Sequence, residues 1–285
     1  VSLPLRLRAE ALGQSLPPLL ASAEHLAQTV MLGEHGRRRA GAGDEFWQYR
    51  PAGSGDTARM VDWRRSARSD AHFVREREWQ AAQTVTIWVD AAQSMAFSGD
   101  ASRPPKSDRA QLLALALSVL LLRAGERVGM PGTPARSGRA QLLRLLDALG
   151  TEHDADYGEA ETRGVTSHGR VVLISDFLGD LASVERAIGR ASDRNARGAI
   201  LQVLDPAEEV FPFDGRTIFE SMGGTLRHET LRASDLRVRY LERLAERKNR
   251  LAALARASGW HYHCHHTGEA AQSALLWLYR AMEAG

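Results

Sequence analysis

Two aspartates carry the first chemical signal in this chain. Asp90 closes the run Thr84-Val-Thr-Ile-Trp-Val, and Asp176 closes Arg170-Val-Val-Leu-Ile-Ser. Both runs are apolar and rich in β-branched residues, the composition of strands covered on both faces. In an open parallel sheet, ligands sit beyond the carboxyl ends of the strands. Two acids converging there, with the Ser94 hydroxyl close behind the first, supply the oxygen donors a hard cation takes. Mg²⁺ is the candidate, with Mn²⁺ or Ca²⁺ as substitutes. The plainer alternative is that Asp90 and Ser94 cap a loop and Asp176 a turn. No nucleophile stands beside an evident general base, so the chain does not read as an enzyme. A metal-dependent phosphohydrolase using the same two acids is the rival reading.

The elements that would position these acids follow from periodicity. A helix is expected from about Asp108 to Ala124, a short strand over Arg127 to Met130, and a helix over Gly138 to Leu149. Another helix should run from Asp180 to about Arg194, followed by the apolar strand Ala199 to Leu204, which ends at Asp205-Pro206. Strands alternating with helices argue for an α/β fold, a doubly wound, mostly parallel sheet. Met222-Gly-Gly between Thr217-Ile-Phe-Glu and Thr225-Leu-Arg-His-Glu predicts a hairpin inside an insertion of about 206–234. A long helix then runs over about 235–257, a strand over 260–263 and a last helix over 269–282. Near the start, a helix is expected from about Ser22, with Pro17 and Pro18 interrupting what precedes it.

Composition bounds the partners. The 285 residues are 44% hydrophobic and 25% charged, which excludes disordered and collagen-like chains. Net charge is only +2, too small for an electrostatic grip on nucleic acid or an anionic membrane. Of 37 basic residues only Lys106 and Lys248 are lysine; we read the arginine bias as compositional. A single cysteine, Cys264, excludes an internal disulfide and suits a reducing compartment. The most apolar stretch, Leu112 to Leu122, falls short of the roughly 20 residues of a membrane helix. No signal-peptide pattern opens the chain, so a cytoplasmic location is expected.

Residues 33–80 are aperiodic and dense in Gly, Arg and Trp. Ten arginines stand against eight acids there, a balance that favours internal ion pairs over a nucleic-acid footprint. Asp62 beside Trp63, with Arg64 and Arg68 close by, suggests a charge-paired, aromatic clamp that docks protein. Arg37, Arg38 and Arg39 could extend that surface, or bind phosphate in the nucleic-acid alternative.

Two resemblances join these parts. Asp90, Ser94 and Asp176 resemble the metal-ion-dependent adhesion site of von Willebrand factor A domains, with Ala92 standing where that motif has its first Ser. The resemblance implies a Thr ligand as well, for which chain order favours Thr151 over Thr133. Gly33-Glu-His-Gly-Arg-Arg-Arg, Tyr49-Arg50-Pro51, Gly55-Asp56, Asp62-Trp63-Arg64-Arg65, Val74-Arg75-Glu76 and Asp205-Pro206-Ala207-Glu208-Glu209 together are similar to the bacterial family called domain of unknown function 58. That resemblance implies residues 1–83 as a helix plus signature segment packed on a von Willebrand A-like, Rossmann-like domain over 84–285. It also implies a non-enzymatic adapter with a degenerate adhesion site. Its partners would be a MoxR-type AAA+ ATPase and a client, in complex assembly or metal-centre maturation.

One further cluster stands apart. His261, His263 and His265 would share one strand face beside Cys264 and His266, so zinc geometry is conceivable. No second group of ligands supports it, and a polar strand exit is the simpler account.

Overall fold

The structure is a computed structural model that describes residues 17–33, 46–53, 61–67, 72–77, 82–150, 154–225 and 227–283. The chain divides into two compact units, residues 35–82 and the remainder.

The larger unit is built on a six-stranded sheet. Its strands are β3 (Thr84–Val89), β4 (Arg127–Met130), β5 (Thr133–Arg136), β6 (Arg170–Ser175), β7 (Arg197–Leu204) and β10 (His261–His266). The order is β10-β7-β6-β3-β4-β5, with every pair parallel except β4 with β5. The expected doubly wound, mostly parallel α/β sheet is therefore present. β5 was not expected, because Thr-Pro-Ala-Arg is short and carries a proline. It runs antiparallel at the sheet edge, where a missing N–H costs no ladder bond.

Period-two alternation sends each strand's side chains to both faces. Ile87, Val172, Ile174 and Leu201 enter one core, with the helices α1 (Pro17–Gly33), α3 (Lys106–Arg123), α4 (Ala140–Leu149) and α8 (Ala271–Glu283). Val171, Leu173 and Ile200 enter the other, with α5 (Ala182–Ser192) and α7 (Ser234–Ala257). Helix α3 is apolar almost all round because α1 covers the side that the sheet does not. Each fully buried Leu or Ile contributes about 1.5–3 kcal/mol relative to exposure. Helix α1 begins at Pro17, earlier than expected. A proline in the first turn lacks only an N–H that would have no helical partner.

The insertion holds a short helix, α6 (Pro206–Val210), then the predicted hairpin of β8 (Thr217–Glu220) and β9 (Arg227–Thr230). Phe219 stacks on Phe211, and Phe211 packs on Tyr240 of α7, which fixes the hairpin to the larger unit. No helix among the described residues is long and apolar enough to cross a membrane.

The smaller unit contains an antiparallel pair, β1 (Phe46–Pro51) with β2 (Phe73–Arg77), and a single helical turn, α2 (Trp63–Ser66). Ser66 ties them together: its Oγ donates to Asp62 O and accepts from Phe73 N.

Candidate functional site

β3 is the strand at which the sheet reverses direction. β4 follows it on one side and β6 lies on the other, so the β3–β6 border is a topological switch point. Asp90 and Asp176 leave the carboxyl ends of these two neighbours. The Asp90 N–H donates to Ile174 O at 2.9 Å, extending the ladder by one residue. Both carboxylates are buried. The sequence-predicted convergence of the two acids is thus a feature of the fold.

Their oxygens are already engaged. Asp90 Oδ1 accepts from Ala92 N at 2.8 Å, and Oδ2 accepts from Ser175 Oγ at 2.6 Å. Asp176 Oδ1 accepts from Leu178 N at 3.0 Å, and Oδ2 takes the Lys106 ammonium at 2.7 Å. Burial pushes the Asp90 carboxyl above the usual carboxylate range, and the Asp176 charge adds to that, against the bonds from Ser175 and Ala92. Gly158 closes over this pair; a Cβ there would overlap the Asp90 carboxylate.

Lys106 opens α3 and is fully buried. Its Nζ lies 2.7 Å from Asp176 Oδ2 and 2.6 Å from Glu208 Oε1. Burial opposes its charge, but Asp176 and Glu208 outweigh burial and hold the ammonium above the ordinary lysine value. Glu208 is placed by a capping box at the start of α6. Its Oε2 accepts from Asp205 N at 2.8 Å, while Asp205 Oδ1 accepts from Ala207 N. Behind Asp176, Gln202 donates to its carbonyl and accepts from Tyr262 Oη, and Arg247 of α7 donates to Phe177 O and Gly179 O. Asp176 is therefore held from two strands and one helix.

The donor set does not fit a divalent cation. Asp176 is already neutralised by an ammonium group in direct contact. Each oxygen of both carboxylates already accepts from a group of this chain, whereas Mg²⁺ takes free oxygen donors. Ser94 Oγ is buried and finds no hydrogen-bond partner among the described residues. Thr151, the expected fourth ligand, lies outside the described residues.

In front of the switch point the chain crosses itself. Ala155 O and Asp156 O accept from Gln93 N and Ser94 N, both at 2.9 Å. The Asp156 carboxylate then receives Ser221 Oγ at 3.0 Å, Gly223 N at 2.6 Å and Thr225 Oγ1. The hairpin tip is thereby pinned, through one aspartate, to the loop after β3. Beside Asp90 an open cavity of about 640 Å³ is bordered by Ala92, Gln111, Met130, Tyr157 and Glu159.

The histidine cluster separates into two sides. His263 stacks on Trp277 at 5.0 Å. His265 is buried, with Arg109 Nη1 2.8 Å from its Nε2. On the opposite face, Cys264 and His266 meet Glu209. His266 Nε2 lies 2.6 Å from Glu209 Oε2, and Lys248 pairs with the same carboxylate. On the three-histidine face His263 is stacked and His265 is held by Arg109 and Glu269, while His261 is exposed, and the residues that could share a metal come from the other face plus α6.

Of the expected partner-binding residues, Asp62, Trp63 and Arg64 are described. Asp62 anchors the turn through its backbone, its N–H donating to Phe73 O. Trp63 is 57% exposed, with its ring edge-on to His72 at 5.5 Å, and Arg64 is exposed. Arg37, Arg38, Arg39 and Arg68 lie outside the described residues.

Sequence reasoning missed Lys106, Glu208 and Asp156. A signal for the first was present: the two lysines of an otherwise all-arginine basic set both form ion pairs with α6.

The chain has relatives of similar build. Uncharacterized protein Rv1480 of Mycobacterium tuberculosis is 27% identical over 228 residues, 73% of this chain and 70% of the relative. Uncharacterized protein Mb1516 of Mycobacterium bovis matches to the same extent. Among solved structures, an aerotolerance-related membrane protein of Bacteroides fragilis aligns with a TM-score of 0.42 at 15% identity, over 72% of this chain and all of the other. BatB of Bacteroides thetaiotaomicron, a conserved hypothetical protein, gives 0.41 at 14%, with the same coverage. A family profile described as protein of unknown function DUF58 matches residues 48–250, well over half of the chain. The chain belongs to the DUF58 family.

Proposed function

We propose that this protein is a non-enzymatic interaction module that docks a partner at the carboxyl-end rim of its sheet, beside Asp90, Ser94 and Asp176. The observation that carries the reading is a fixed acidic switch point next to an open cavity of about 640 Å³. Each carboxylate oxygen of Asp90 and Asp176 already has an internal partner. Neither acid is free to act as a general base, which weighs against the phosphohydrolase alternative. A binding surface, by contrast, needs groups that are held still.

The partner is a MoxR-type AAA+ ATPase acting with a client protein, in complex assembly or metal-centre maturation, in the cytoplasm. Support comes from the family resemblance of the Gly/Arg/Trp segment and the strand-end acids. The exposed Trp63 and Arg64, next to Asp62, form a second contact, since Trp and Arg are the residues that most often anchor protein interfaces, and Arg68 and Arg37 to Arg39 are assigned to it from the sequence alone.

Affinity purification from the native host, with the co-purifying ATPase identified by mass spectrometry, tests the reading. Wild type should retain the ATPase, Glu159→Lys at the cavity edge should lose most of it, and Trp63→Ala should weaken it about tenfold. Retention that is indifferent to all these substitutions, or phosphoester turnover that Asp176→Asn abolishes, would overturn the proposal.

A further inference from the structure

A buried pair of carboxylates needs a counter-charge, and this crevice supplies one covalently. We infer that the Lys106 side chain is the site's own cation, standing between Asp176 and Glu208 in place of a divalent ion, and that the crevice is complete without metal.

Four independent features carry this. First, the ammonium bridges two acids from different parts of the chain, at 2.7 and 2.6 Å, with no exposed surface. Buried charges persist only when paired, and both distances are those of charge-assisted hydrogen bonds. Second, the Phe97 ring lies 5.6 Å from the same nitrogen, a further contact that favours a cation there. Third, each carboxylate oxygen of Asp90 and Asp176 already accepts from a group of this chain, Ala92 N, Ser175 Oγ, Leu178 N and Lys106 Nζ, which leaves no free donor pair for an ion. Fourth, Ala92 offers no hydroxyl at the loop position where the adhesion motif has its first Ser. A divalent ion added here would meet a positive charge already in contact with its main ligand.

The residue type is informative as well. Arginine fills 35 of the 37 basic positions, 37 minus the two lysines. An arginine fork suits bidentate contact with one carboxylate in a plane. A compact ammonium on a long stem suits single oxygens of two separate carboxylates. Lysine is used where that geometry is required.

The inference concerns the site's cation alone, and metal titration reads it without any partner. Mn²⁺ binding is measured by calorimetry and by electron paramagnetic resonance in a His266→Ala background, which removes the Glu209–Cys264–His266 group as a competing site. The chain with Lys106 intact should show no stoichiometric site tighter than about 1 mM, and its thermal midpoint should not move with chelator or added Mg²⁺. Lys106→Ala should gain a single site at least about tenfold tighter, with a midpoint that rises when Mn²⁺ is added. A one-to-one site tighter than about 0.1 mM in the Lys106 chain would overturn the inference. So would a folded Lys106→Ala variant that ignores the ion. If that variant folds only when Mn²⁺ is present, the inference stands; if it never folds, the titration of the Lys106 chain decides.

Discussion

Lowering the pH from 7 to 4.5 should remove roughly 2 kcal/mol of stability through one residue, His265. Arg109 Nη1 sits 2.8 Å from His265 Nε2. Arginine can only donate, so Nε2 is the unprotonated acceptor, and the ring is neutral with its proton on Nδ1. Arg109 is itself fixed by Glu269 O at 2.6 Å and Thr267 O at 2.9 Å, so it cannot swing away cheaply. Burial and then the Arg109 charge depress the His265 pKa to about 4, against the attraction of Glu269, whose Oε2 lies 3.3 Å from Nδ1. His263 adds to the depression. In the unfolded chain the value returns to about 6.5. As the pH falls below that, the unfolded state takes up a proton that the folded state refuses. The contribution is therefore complete above about 6.5 and is lost progressively towards 4. Urea unfolding at pH 7 and pH 4.5 measures it. His265→Gln keeps an acceptor for Arg109 and abolishes the titration. Wild type should lose roughly 2 kcal/mol more than this variant between the two pH values. Equal losses in the two proteins would show that His265 is not held neutral, and the argument from Arg109 would fail.

Two substitutions test the loops over the switch point. Gly158→Ala places a methyl group on the Asp90 carboxylate, and should cost about 1–3 kcal/mol in urea unfolding; an unchanged midpoint would mean that the 154–158 loop does not lie across Asp90. Asp156→Ala removes the acceptor for Ser221, Gly223 and Thr225, and should raise amide exchange at 221–225 while leaving β6 and β7 protected; if the tip stays protected, the aspartate does not hold it.

The sheet was legible because its strands obey a local rule. Val171 to Ile174 is a continuous apolar run and Ala199 to Leu204 is broken only by Gln202, and only a sheet covered on both faces buries all of them. The convergence of Asp90 and Asp176 was legible in part: each acid ends such a run, but that β3 and β6 are neighbours is set by the strand order of the sheet, which chain position does not fix. The hairpin was marked by Met222-Gly-Gly. β5 escaped because its only determinant is pairing with β4 at an edge. Lys106 escaped for a related reason. Pro105-Lys106-Ser107 reads as an ordinary polar helix start, and nothing local says that this end faces the switch point. Glu208 stood out in the sequence only as part of the Asp205-Pro206-Ala207-Glu208-Glu209 signature. Its role depends on Asp205 turning the chain, which brings α6 over the carboxyl end of β6.

The substitution of an ammonium for a metal changes what the rim can do. A coordinated ion with an open position bonds directly to an incoming carboxylate, and its loss on chelation switches such contacts off. Lys106 is fully buried and its two acids are satisfied, so it has no open position to offer. Recognition must instead come from shape and from the groups left at the cavity edge, among them Tyr157 and Glu159. The sign of the site follows. The ammonium meets Asp176 and Glu208, and the Arg247 guanidinium interacts with Asp176 as well, so the buried charges largely offset one another, while Glu159 and Glu161 on the cavity wall give its outer edge a negative sign. A metal-bearing rim attracts a partner's carboxylate; under the docking proposed above, this one would favour a partner's arginine or lysine at the Glu159 and Glu161 edge. Trp63 and Arg64, in the other unit, present the opposite character, aromatic and cationic. A partner that engages both must carry a basic patch for the rim and an acidic or apolar one for the tryptophan, and its surface charge should be divided accordingly.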